Sequence, residues 1–131
     1  MAERDLIKIF DSLNKKYFDN KVVAGICWRA IRLGKDRVTL GSCSTDERVI
    51  RINSCLQDEK IPLWYLKYIV YHEMIHALQG PKEDPHDEEF LEIERQYPYY
   101  NKAIEFEKKQ LHVLVAKHRK LRIAKKTSGT K

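Results

Sequence analysis

No apolar run in this chain approaches the roughly 20 residues that a membrane span needs. The N-terminus, Met1-Ala2-Glu3-Arg4-Asp5, is charged and leads straight into an amphipathic pattern, so it does not read as a secretory signal. Cysteine is scarce. Cys27, Cys43 and Cys55 are odd in number, far apart, and form no C-x-x-C pair. That excludes a zinc ribbon and a disulfide framework, and it predicts reduced, mostly buried thiols in an intracellular protein of cytoplasm or nucleus. Internal repeats and the signs of a second domain are also missing. At 131 residues, 43% of them apolar and 34% charged, the chain suits one soluble domain with a modest core.

Charge is absent by sign in two places. Residues 83–94 hold seven acids and no Lys or Arg, and residues 117–131 hold seven Lys or Arg and no acid. The second stretch reads as a flexible basic tail that follows a domain of residues 1–116. Such a tail could hold DNA through its phosphates, or serve only as a solubilising end.

What is present begins with a helix over 3–18. Its apolar residues, from Leu6 to Phe18, recur at three- and four-residue spacing, and Asp19-Asn20 supplies a stop. Asn14 on this helix suits either a buried hydrogen bond or solvent. Residues 22–53 change period. Val22–Trp28, Ile31–Leu33 with Val38–Gly41 around a turn at Asp36-Arg37, and Val49–Asn53 predict a small, mainly antiparallel sheet of about three strands. In the last, Ile50 and Ile52 face one way and Val49, Arg51 and Asn53 the other. Ser44–Arg48 is its polar connection.

Residues 62–79 form the longest apolar-rich segment, opened by Pro62 and ended by Gly80-Pro81. Apolar residues nearly surround this helix, so it is expected to be the most buried. Another helix is expected from Pro85-His86 to about Gln96, broken by Tyr97-Pro98-Tyr99-Tyr100, and a last one over 101–122.

The buried helix carries His72-Glu73-Met74-Ile75-His76, an H-E-x-x-H pattern. His72 and His76 lie one turn apart on one face, where two imidazoles can reach one metal ion. Glu73 lies at the edge of that face, placed to take a proton from a water that the metal activates. A buried helix holds unpartnered histidines only at a cost, and a metal supplies the partner. The bland alternative is two core histidines satisfied by hydrogen bonds. Catalytic zinc takes three protein ligands and keeps one position open. His86, beyond the short return loop, is the favoured third ligand, with Glu89 and Glu92 competing; Glu88 is a lesser rival. Acids around His86 are candidates to hold a ligand histidine's second nitrogen. His112 and His118, six apart, read as surface residues. Tyr97, Tyr99 and Tyr100 read as packing residues, or as one hydrogen-bond donor to an oxyanion. Trp28 and Trp64 read as core, with Trp28 also suited to line a cleft.

Four blocks together resemble the SprT-like metalloprotease domain family. They are Leu13–Asn20 with Ile26-Cys27-Trp28; Leu40-Gly41-Ser42 with Ile50–Asn53; Ile69–Ala77; and His86-Asp87-Glu88-Glu89-Phe90, an H-x-x-x-F pattern. They cover about residues 6–100. The resemblance implies an α+β fold, a small zincin with its sheet packed on the H-E-x-x-H helix. It implies zinc held by His72, His76 and His86, with Glu73 as general base. It also implies hydrolysis of peptide bonds in protein or peptide substrates, some of them DNA-associated or cross-linked to DNA. This chain lacks the zinc-ribbon or other DNA-binding extension of many members. Its tract Tyr97–Tyr100 and the helix after it resemble short bacterial and archaeal relatives described only as predicted metal-dependent hydrolases. Two rival readings are a zinc- and nucleic-acid-binding module with little turnover, and a latent protease capped by its own C-terminal segment.

Overall fold

The computed structural model describes residues 4–30 and 39–111. Helix α1 (Leu6–Tyr17) starts at Asp5, whose carboxylate accepts the Lys8 N–H at 3.1 Å and so satisfies one of the helix's orphan donors. It stops where expected: Asp19 and Asn20 both adopt positive φ, 52° and 59°, which only short polar side chains and glycine tolerate well. Asn14 is buried. Its amide donates to the Val22 carbonyl at 2.8 Å, and its oxygen accepts the Val22 N–H at 3.1 Å. One side chain thereby fixes the strand entrance to the helix.

Three strands follow: β1 (Gly25–Arg29), β2 (Gly41–Ser44) and β3 (Val49–Asn53). The fold class is the expected α+β, and the sheet has the expected number of strands. Its sense differs in one pair. β3 lies in the middle, antiparallel to β2 but parallel to β1, with Gly25 opposite Val49 and Trp28 opposite Ile52. The reason is topological. From β1 the chain passes to the far edge of the sheet as β2, then reverses through Thr45–Arg48 and fills the centre, which makes β3 run with β1. Arg48 closes that turn at φ 56°. Of the segments expected as strand, Ile31–Leu33, the turn at Asp36-Arg37 and Val38 lie outside the described residues.

Helix α2 (Leu63–Gln79) packs on the sheet through β2 and β3, and α1, α3 (Glu88–Arg95) and α4 (Tyr100–Phe106) all pack against it. Pro62 stands at its N-cap rather than inside its first turn. Leu66, Val70, Met74 and Ile75 are wholly buried, as are Ile50 and Ile52 beneath them. Each such side chain contributes on the order of 1.5–3 kcal/mol over an exposed one. Gly80 ends α2 at φ 72°, ψ −166°. α4 continues as a π-helical stretch, Glu107–Leu111, and the rest of the expected last helix, with His112, His118 and the basic tail 117–131, falls outside the described residues.

α3 begins later than expected. Asp87 caps it by accepting the Phe90 N–H at 3.0 Å, and Asp84 accepts the His86 N–H at 3.1 Å. His86 therefore sits in a turn just ahead of the helix. Tyrosines knit the helices together: the Tyr71 hydroxyl donates to the Ile93 carbonyl at 2.6 Å, and the Tyr97 hydroxyl to the Trp64 carbonyl at 3.4 Å. Of the three cysteines only Cys55 is buried. Cys43 is half-buried and Cys27 exposed, because alternate residues of edge strand β1 point away from the helices. Among the described residues no helix is long and apolar enough to cross a membrane.

Candidate metal centre

His72 and His76 project from one face of α2, and the turn after Gly80 returns His86 to them. The nearest ligand atoms of the three all lie within 4.8 Å of one another, and among the described residues no other group of histidine, cysteine and acid comes together in this way. Their ring centroids are 5.0 Å apart for His72 and His76, 5.5 Å for His72 and His86, and 4.8 Å for His76 and His86. Phe90, fully buried, is the shared floor. Its ring stacks on His76 at 4.5 Å and meets His72 and His86 edge-on at 4.9 and 5.0 Å. One apolar ring touching all three imidazoles narrows the directions each can take.

The rival carboxylates are elsewhere. Glu89 is exposed and faces Lys82 at 3.3 Å, Glu92 is exposed, and neither joins the triad. Glu88 is exposed and pairs with Arg95. Of the tyrosines considered as oxyanion donors, Tyr97 is buried in the core and Tyr99 is exposed beneath Lys102. None of Tyr97, Tyr99 and Tyr100 lines the cleft, whereas Tyr68 does. Trp28 borders a separate cavity of about 380 Å³, and its indole N–H donates to the Arg4 carbonyl at 3.3 Å. Trp64 packs edge-on against Tyr65 and Phe106.

The triad opens on a cleft of about 880 Å³. One wall is the β2 edge with Gly41 and Cys43; the floor is Tyr68, Ile69 and Glu73 of α2; Glu94, Ile104 and Glu107 close the far end. Glu73 is only 7% exposed. Burial, then the nearby Glu94 charge, push its carboxyl up to about 7, against the pull of His72. Burial, with His72 and His86 beside it, lowers His76 to about 4, so its imidazole is neutral at neutral pH, as a metal ligand must be. Burial acts to lower His72 as well, but the hydrogen bond to Glu94 and the charge of Glu73 outweigh it and leave the ring raised. Burial, then Glu73, push the Cys43 thiol up to about 11, so it stays protonated and unreactive.

Sequence reasoning did not single out Glu94. It is 5% exposed and pairs with Nδ1 of His72. A signal for it exists: His86, Phe90 and Glu94 recur at every fourth position, the spacing of one helical face.

Residues 6–113 match the SprT-like family. No curated protein sequence matches the chain. Among solved structures it is similar to the metallopeptidase zymogen of Methanocaldococcus jannaschii jannalysin. The TM-score is 0.62 at 23% identity, over 86% of this chain and 99% of that one.

Proposed function

Because the chain belongs to the SprT-like family, we propose that it is a zinc-dependent metallopeptidase, with His72, His76 and His86 holding the ion and Glu73 as general base. The observation that carries this reading is the histidine triad beside a buried carboxylate in one open cleft. The donors suit zinc. Three nitrogens about 2.0–2.1 Å from a tetrahedral ion sit roughly 3.3 Å apart, and a spread of 4.8 Å closes to that with small ring rotations. Three protein ligands leave the fourth position open, as catalytic sites require.

Zinc bound there would supply Lewis acidity, lowering the pKa of water to about 7 and polarising the scissile carbonyl. Glu73 accepts the proton of the attacking water and passes it to the departing amine. Burial raises that carboxyl above its ordinary range, which favours its taking up a proton. β2 is an edge strand along the cleft, so its outer backbone groups can pair with an extended peptide and lay a peptide bond over Glu73.

Glu73→Gln tests the reading. Zinc content should stay at wild-type level while hydrolysis of an unfolded protein substrate falls by about 10²–10⁴-fold. Unchanged turnover would sink the general-base assignment and with it the peptidase. The proposed substrates include DNA-associated proteins, held near the enzyme by the basic residues of 117–131. Single-stranded DNA in the same assay should then raise the rate, with an effect that fades as salt rises. A second reading draws on the jannalysin structure, which is of a zymogen: the chain would be a latent peptidase. Removing 117–131 separates the two, since a gain in proteolysis marks a plug and a loss of DNA response marks a binding tail.

A further inference from the structure

Of the seven acids in 83–94, Glu94 alone is buried. A carboxylate at that depth is costly unless several donors satisfy it. Nδ1 of His72, on α2, meets it, and Tyr68, one helical turn earlier, lines the same cleft. The contact is made at Nδ1, and a carboxylate oxygen there is placed to accept a ring N–H. The ring's other nitrogen, Nε2, then carries a free lone pair and is the one available toward His76 and His86.

We propose that Glu94 is a positioning residue for the metal centre: it accepts the His72 Nδ1–H, fixes that tautomer and ring plane, and so holds Nε2 ready for zinc. This rests on the metallopeptidase reading above. The placement explains why α3 matters twice. Its N-terminal turn delivers His86, and its last turn delivers the group that steadies His72, with Phe90 between them against all three rings. A purely space-filling role would be served as well by an apolar side chain of the same length, and that difference supplies the test.

The experiment uses the full chain with Glu94→Met, which fills the space without an acceptor, and Glu94→Gln, which restores a neutral acceptor. Zinc affinity is read by competition with a chelator. The His72 tautomer is read by long-range proton–nitrogen NMR on zinc-free protein. Glu94→Met is expected to weaken zinc binding by about 10–100-fold and to shift His72 from the Nδ1–H form to a mixture. Glu94→Gln is expected to recover part of both. Zinc affinity within twofold of wild type in Glu94→Met, or an unchanged tautomer, overturns the proposal. Should Glu94→Met not fold, Glu94→Gln decides: a several-fold loss of affinity supports the role, since a neutral acceptor is the weaker partner, and parity with wild type removes it. Failure of the wild-type chain to take up zinc would overturn the metallopeptidase reading instead. The tautomer measurement needs no zinc, so it still decides the role of Glu94.

Discussion

Gly41 stands where β2 passes closest to Glu73. A Cβ added there would lie 3.2 Å from Glu73 Cγ, 3.3 Å from its Oε2 and 3.3 Å from Ile69 Cγ2. Few real contacts are so tight, and the softest neighbour is the carboxylate arm itself. Gly41→Ala should therefore leave zinc content intact but move the base by a few tenths of an ångström. Steady-state kinetics should show kcat reduced by roughly tenfold with KM little changed. An unaltered kcat would mean that Glu73 has room the structure does not give it. Gly41 could be quoted from the sequence as part of a resemblance, but its reason could not, because the approach joins residues 41 and 73 across the fold. Glu94 escaped for a different reason. In a stretch rich in acids, one that turns inward looks like the solvated rest, and only its four-residue step from Phe90 sets it apart. His86 was legible because breaker residues and a short loop follow His76 and leave the chain little freedom to put it elsewhere.

Among the elements, α2 was the most legible, since apolar residues surround it and Pro62 and Gly80 bracket it. Its ending can be tested. Gly80 sits at φ 72°, ψ −166°, a region that is essentially glycine's alone, yet nothing lies within 4 Å of where a Cβ would go. Gly80→Ala should thus destabilise the protein by about 1–3 kcal/mol through backbone strain with no clash. Chemical denaturation would register this as a lower midpoint at unchanged slope. A neutral result would show that the return loop has another way home. β3 was legible through Ile50 and Ile52 alternating inward, but β2 was expected to end at Gly41 and instead spans Gly41–Ser44, and the order of the strands was not legible. Parallel pairing of β1 with β3 follows from β2 lying at the far edge and β3 in the centre, an order that no residue within the strands marks locally. The start of α3 shifted for a local reason: Asp87 outcompetes Pro85 as the capping position because its carboxylate reaches the Phe90 N–H.

Taken as a whole molecule, the chain should be visibly linked to its metal. A ligand bound only by the folded state, at a thousandfold its Kd, adds about 4.1 kcal/mol of stability. For a domain of this size that is a Tm rise on the order of ten degrees. Calorimetry with and without zinc should show it, and His76→Ala should abolish most of it while leaving the zinc-free transition near its original position. A zinc-independent Tm in the wild type would contradict the proposed ligand set.

The two sides of the cleft differ in how the chain assembles them. His72, His76, His86, Phe90 and Glu94 come from one continuous stretch, two successive helices and the turn between them, so only a short loop needs to close to gather them. The opposing wall, Gly41–Ser44, exists only after β3 has threaded between it and β1, with Gly25 brought to Val49. Contacts of long sequence separation form late and cost more chain entropy. On the proposed function, the grip on the ion would be built from the locally encoded part of the molecule, and the seat for the peptide from its most topologically demanding part. Loosening the sheet by heat or denaturant would then cost substrate recognition before the proposed metal ligands come apart.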